Sequence, residues 1–393
     1  MSLNDLNEDC LHQILSYFEY EPNKLREFAT ISRRFNELVQ VYLVRHVSFR
    51  LDHPRTPSAE RFELFLSAIQ RRPELKRQIQ TLELFWNVDN TILSARVNGL
   101  LSNLPGLSSL TLKQHAGTVP FELTFDLENA MPMLRHFCVV RGSVSTLCKA
   151  LLHPQIQTIG ANSLASLPER FLGRPTRTVY ALLESLDLKE CFFAPAIIQR
   201  LLQYRPNIRK LTFELASNTY VFSPKEITQA LDAAKDTLEE LVIRGHQQVF
   251  RDGVHDGSRM DLKEYGKLRV LDVPSSCVFR AKVRDRSRNF LHQHLPASLE
   301  YLRIYFTNDT GLFYLTEEDE ESFWDDDDEV DEDWYKWLTE IVRYKLVSFP
   351  MLRTILIEEL GSHHPVSWLN HSLARDAASA GVRLDVLLRR LRG

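Results

Sequence analysis

Cysteine is scarce. The 393 residues hold five, Cys10, Cys138, Cys148, Cys191 and Cys277. The number is odd and no C-x-x-C occurs, which argues against a disulfide framework and against a zinc site. Reduced, buried thiols in a cytosolic or nuclear protein are the expectation. No apolar run approaches the roughly 20 residues that a bilayer-spanning helix needs, so no membrane association is expected. The first residues are acidic and helix-capping rather than basic and then apolar, so no secretory leader is expected. Without one, the sequons Asn308-Asp309-Thr310 and Asn370-His371-Ser372 are read as chance matches.

Catalytic motifs are missing too. No Gly-rich phosphate loop, G-x-S-x-G or H-E-x-x-H occurs. His363-His364 and His292-Gln293-His294 are close histidine pairs, but neither has Cys or carboxylate neighbours at ligand spacing. Asp325 to Asp328 lacks the glycine and terminal glutamate of a calcium loop. The reading is therefore a protein without catalytic residues, metal or cofactor.

What is present is an ordinary globular composition, 44% hydrophobic and 25% charged. The net charge of −4 conceals an asymmetry. Between Glu317 and Asp333 stand thirteen acidic residues and no basic ones, so without them the rest of the chain carries +9. This run, with Phe323-Trp324 inside it, is read as a solvated acidic insertion at 316–333. Arg280 to Arg288 is the strongest basic cluster. It lacks interleaved aromatics and a recognised motif, so no nucleic-acid site is assigned.

The first 44 residues have helical periodicity. Leu11, Ile14, Leu15 and Phe18 fall on one face of a helix for which Asn7 is a plausible N-cap. Asn23 is a candidate cap for a second helix with Leu25, Phe28 and Ala29. Ser32 can cap a third with Phe35, Leu38, Val39, Tyr42 and Leu43. About forty residues cannot easily bury three apolar faces alone, so such a unit usually needs a partner surface. Leu6-Asn7-Glu8-Asp9, the helix after it and Ile31-Ser32-Arg33-Arg34-Phe35-Asn36-Glu37-Leu38 resemble the F-box pattern, with Asn7 standing where that family usually has proline.

From residue 45 one unit recurs, apolar-x-x-apolar-x-apolar. It is clear in Ile79 to Leu84, Leu107 to Leu112, Leu134 to Val139, Leu183 to Leu188, Ile208 to Phe213, Leu238 to Ile243, Leu268 to Val273, Leu299 to Ile304 and Leu352 to Ile357. Ile156 to Ala161 is a weaker copy. Val47, Phe49 and Leu51 alternate as a short strand, and Ser58 is read as the cap of the following helix. From Leu82 to Leu302 the central residues are spaced at 22 to 31 positions. Ser223-Pro224-Lys225-Glu226 is a complete helix-start signal. This pattern resembles the leucine-rich repeat. It implies an α/β repeat solenoid, an irregular leucine-rich-repeat horseshoe at 45–360, preceded by a small three-helix F-box at 1–44 and closed by a C-terminal cap at 361–393. The last apolar residues of each unit, such as Leu82 and Leu84, would face inward, and Thr81 and Glu83 would line the other face.

The resemblance further implies the substrate-recognition subunit of an SCF-type cullin–RING ubiquitin ligase, cytoplasmic or nuclear and itself not an enzyme. A Skp-family adaptor, and through it cullin, would be bound through Leu6, Leu11, Ile14, Phe18, Leu25, Phe28, Ile31 and Phe35, some of which must instead pack internally. The repeats would hold a protein substrate whose identity the sequence does not reveal. The alternative is a protein-interaction scaffold without a ubiquitin-ligase role.

Overall fold

In a computed structural model the chain is described over residues 6–51, 56–86, 91–115, 121–164, 182–191, 195–204, 207–215, 223–245, 258–279, 288, 290–306, 332–359, 366–367 and 369–388. It divides into two compact units. The first is Met1–Ala165 with Arg177–Leu183, and the second is Ser166–Thr176 with Glu184–Gly393.

The first unit starts with three helices, α1 (Glu8–Ser16), α2 (Pro22–Ala29) and α3 (Arg33–Leu43). Asn7 caps α1, its side-chain oxygen accepting from the Cys10 amide at 2.8 Å. Ser32 caps α3 in the same way through the Phe35 amide. Both are local signals, satisfied by residues within one turn, and both were readable in the sequence. Asn23 was not a cap. Pro22 is already helical, and the Asn23 side chain accepts instead from Arg26.

Strands then alternate with returns: β1 (His46–Leu51), α4 (Pro57–Arg71), β2 (Thr81–Trp86), α5 (Thr91–Leu101), β3 (Ser109–Gln114), α6 (Leu127–Ala130), β4 (His136–Val140), α7 (Val144–Leu152) and β5 (Thr158–Asn162). Thr56, not Ser58, caps α4; Ser58 accepts from the Arg50 amide and so fastens α4 to β1. The five strands pair in parallel, each with the next in sequence. Their central residues lie in one register, Val47 beside Leu82, then Leu110, Phe137 and Ile159. Alternation with period two sends Leu82, Leu84, Leu110 and Leu112 into the core, where each contributes about 2 kcal/mol.

The second unit continues with β6 (Ser185–Cys191), α8 (Pro195–Tyr204), β7 (Lys210–Leu215), α9 (Pro224–Leu231), β8 (Glu240–Gly245), β9 (Val270–Pro274), α10 (Ser275–Val278), β10 (Tyr301–Phe306), β11 (Thr354–Glu359), β12 (Val366–Ser367) and β13 (Arg383–Leu388). Helices Glu332–Arg343, Lys345–Ser348 and His371–Ser379 complete it. Ser223 and Glu226 form the expected reciprocal capping box at α9. Leu186, Leu211, Leu241, Leu271, Leu302, Ile355 and Leu384 share one register from β6 to β13. The tail read as a cap thus supplies a further parallel strand, with β12 running antiparallel beside it.

This architecture corrects the expected fold class. The protein is not a leucine-rich-repeat horseshoe preceded by a small three-helix F-box. It is an α/β fold with helices interleaved among parallel strands, and α1–α3 belong to the same compact unit as β1–β5. The reason lies in what a period can encode. An evenly spaced apolar motif records only that each strand follows the last. It does not specify the return between them, and here the returns differ: α4 has 15 residues and α6 has 4. Nor does it set the curvature of a sheet.

Most of the acidic insertion and of the basic cluster lies outside the described residues. Arg288 is the exception in the cluster, and Glu332 and Asp333 open a helix.

Gly99 supplies a first prediction. It lies exposed inside α5, and a Cβ added there would meet no atom within 4 Å. Gly99→Ala should stabilise the protein by about 0.5–1 kcal/mol, because alanine loses less backbone entropy on entering a helix. Urea denaturation reads the gain directly, and a loss of stability would contradict it.

Candidate protein-interaction surface

The eight residues singled out in the N-terminal helices do not share one fate. Leu11, Leu25 and Phe35 are fully buried. Leu25 joins Leu15, Val39 and Tyr42 in a core shared by the three helices. These three residues hold the helices together and present nothing to a partner. Leu6, Ile14, Phe18 and Phe28 are half-buried, and Ile31 is 47% exposed.

Phe18 and Phe28 pack together, and Ile31 follows just after the end of α2. The Phe18 and Phe28 rings lie 5.2 Å apart between centroids, and the Ile31 amide donates to the Phe28 carbonyl at 3.1 Å. Lys24 sits over the Phe18 ring at 5.3 Å. Half-covered aromatics beside an exposed aliphatic side chain are the composition of an interface centre.

Tyr17 and Tyr20, 77% and 79% exposed, also lie at this surface and are not among the eight. A signal was available for one of them. Tyr17 stands three residues after Ile14 and continues that edge of α1, outside the buried face. Tyr20 has no such spacing; its place is set by stacking on His46, with ring centroids 4.8 Å apart.

Next to Tyr20 a polar node fixes the helices to the sheet. Glu19 accepts from Arg45 at 3.2 Å and from His46 Nε2 at 3.0 Å. The other ring nitrogen of His46 lies 3.1 Å from the Thr81 hydroxyl on β2. Burial by itself raises the Glu19 carboxyl, but hydrogen bonds from His46 and Arg45, aided by their charge, outweigh it and hold the group below its usual range. Arg45 also covers the Tyr42 ring at 4.4 Å. The Tyr42 hydroxyl donates to the His12 carbonyl at 2.8 Å and accepts from His12 Nδ1 at 3.0 Å. The Arg45 carbonyl, last before β1, accepts from both the Gln80 and Thr81 amides. The surface is therefore held by a rigid support, as a recognition site requires.

Among the described residues, no group of three or more His, Cys, Asp or Glu side chains is placed to hold a metal ion. No helix among them is long and apolar enough to cross a membrane. The arrangement has the composition of a surface that binds a partner. No protein-family model matches the chain, and no curated protein matches it.

Proposed function

We propose that the chain is the substrate-recognition subunit of an SCF-type cullin–RING ubiquitin ligase, working in the cytoplasm or nucleus and performing no bond chemistry itself. Its N-terminal helices bind a Skp-family adaptor, and through it cullin. Its strand-bearing remainder holds a protein target and raises the effective concentration of that target at the ligase. The observation that carries the reading is the pair of half-buried rings Phe18 and Phe28 with exposed Tyr17, Tyr20 and Ile31 at the ends of α1 and α2, on residues that resemble the F-box pattern.

The burial pattern selects the test. Leu11→Asp would unfold the helices and say nothing about binding. Tyr17→Glu, Tyr20→Glu and Ile31→Glu change exposed side chains instead. The triple variant should recover at least about tenfold less adaptor in co-purification, with an unchanged melting transition. Full adaptor recovery by the triple variant, or none by the wild type, would overturn the assignment.

A second reading, an interaction scaffold without a ligase role, has one observation in its favour. Three of the eight expected contact residues are internal, and the Glu19–His46–Thr81 node ties the helices to the sheet. On that reading the helices close the edge of β1, and wild-type pull-downs contain neither adaptor nor cullin.

A further inference from the structure

The first unit has a second sheet surface that the adaptor reading does not use. On β1–β5 the residues that point away from the core form three rows, and none of them is buried. The middle row runs Ser48, Glu83, Thr111, Cys138, Gly160 in register. Four of these five are small. Gly160 keeps the floor low, since a Cβ there would stand 3.3 Å from the Cys138 sulfur. The row nearer the strand ends is taller, with Arg50 over the Phe85 ring at 5.0 Å and Lys113 beyond it. The result is a shallow polar trough crossing five strands, about 19 Å long at the usual strand spacing. An extended chain of about six residues spans that length.

Charge narrows the occupant. Glu83 is the one carboxylate that the five strands themselves place on this face, and it is occupied by Lys113 and by the Ser48 hydroxyl; Glu19 reaches the His46 end of the face and is occupied by Arg45 and His46. Arg50 and Lys113 stand along one wall, and Arg141 follows the end of β4, exposed. Arg141 is held there at some cost. Its φ of 58° lies in the left-handed region, its amide donates to the Asn162 carbonyl, and any side chain at the next residue, Gly142, would strike Val139. Arg50 and Lys113 are two strands apart, about 10 Å, which matches about three residues of extended chain. Cations spaced singly suit separate monoanions, whereas a phosphate dianion is met by converging donors. In the second unit the matching face is closed at Val242, Asp272 and Tyr305, all buried.

We infer that this trough binds an extended segment of a protein partner carrying carboxylates about three residues apart. The inference names the target class of the receptor reading and rests on that reading for the role of the bound protein. Glu83 acts as an internal competitor for Lys113, so its removal improves binding.

The test uses the full chain and a displayed library of random twelve-residue peptides. Selected peptides should be enriched in Asp or Glu at three-residue spacing. Fluorescence anisotropy with a selected peptide should then show weakening of about fivefold for each of Arg50→Glu, Lys113→Glu and Arg141→Glu, and tightening of about twofold for Glu83→Gln. Raising the salt should weaken binding throughout. Selection without acidic enrichment, wild-type affinity in the three reversals, or binding only when phosphoserine replaces the acidic residues would each overturn the inference. The reversals should leave melting and adaptor recovery unchanged. If wild type recovers no adaptor while acidic peptides still bind as described, the receptor reading fails and the trough assignment stands.

Discussion

Arg303→Met is expected to destabilise the protein by about 3 kcal/mol at neutral pH. Arg303 on β10 lies directly opposite Asp272 on β9 and donates to its carboxylate at 3.0 Å. It also donates twice to Glu358 on β11, at 3.2 and 2.6 Å. The Asp272 side chain is only 8% exposed, and its other oxygen has no hydrogen-bond partner among the described residues. Arg244 approaches only to 3.8 Å. Removing Arg303 therefore leaves a carboxylate enclosed by the sheet without its main counter-charge, which costs far more than an exposed pair is worth.

The pH dependence follows from Asp272. Burial raises its carboxyl above the ordinary 3.8, and the charge and hydrogen bond of Arg303, with the charge of Arg244, only partly oppose this. An acid whose folded pKa is raised holds its proton more tightly in the fold. Its contribution is complete below 3.8 and is lost as pH rises through the folded value. Without Arg303 the shift grows, so the stability gap between variant and wild type should widen from about pH 4 to pH 7. Adding Asp272→Asn to the variant should recover part of the loss at pH 7. Urea denaturation across this range reads both effects. A gap that stays constant with pH would show that packing of the Arg303 stem, rather than the enclosed charge, sets the cost.

The second large effect is at Gly106. A Cβ there would stand 2.1 Å from the backbone oxygen of Arg77 and 2.8 Å from its carbonyl carbon. Those atoms belong to the 3-10 helix Pro73–Gln78 and cannot rotate away as a flexible side chain would. Gly106→Ala should cost about 3 kcal/mol or more by forcing the loop from its seat between the buried Leu104 and Leu107. Denaturation beside Gly99→Ala gives the contrast. The same substitution should have opposite signs at two glycines of one unit. Near-neutrality of Gly106→Ala would mean that the loop can shift without loss of packing.

These two glycines look alike in the sequence. Gly106 sits in a Leu-Pro-Gly-Leu stretch that reads as a turn, and nothing local shows that the Arg77 backbone, twenty-nine positions earlier, presses against it. The ion group is similar. Asp272 and Arg303 occupy outward positions in two copies of the apolar motif and Glu358 follows the end of a third, but the intervals of 31 and 55 residues between them hide the pairing. The candidate surface on α1–α3 was legible only as a set. Leu11, Ile14, Leu25, Phe28 and Phe35 are helical, whereas Leu6, Phe18 and Ile31 lie just outside the helix ends, and periodicity in helices this short does not decide whether a partner chain or the protein itself covers each one. Leu11, Leu25 and Phe35 went to the core, and Tyr17 and Tyr20 were left outside.

The sequence by itself determined β1 to β11, their order of appearance and the caps at Asn7, Ser32 and Ser223. Strand alternation and capping act over two to four residues, so the residues responsible are neighbours in the chain. Tertiary structure alone decided what those strands became: an α/β fold in two compact units, with the N-terminal helices joined to β1–β5 and the tail added as β13. It also decided which face of each unit stays open, since an apolar or charged side chain carries no mark of the distant residue that will cover or neutralise it.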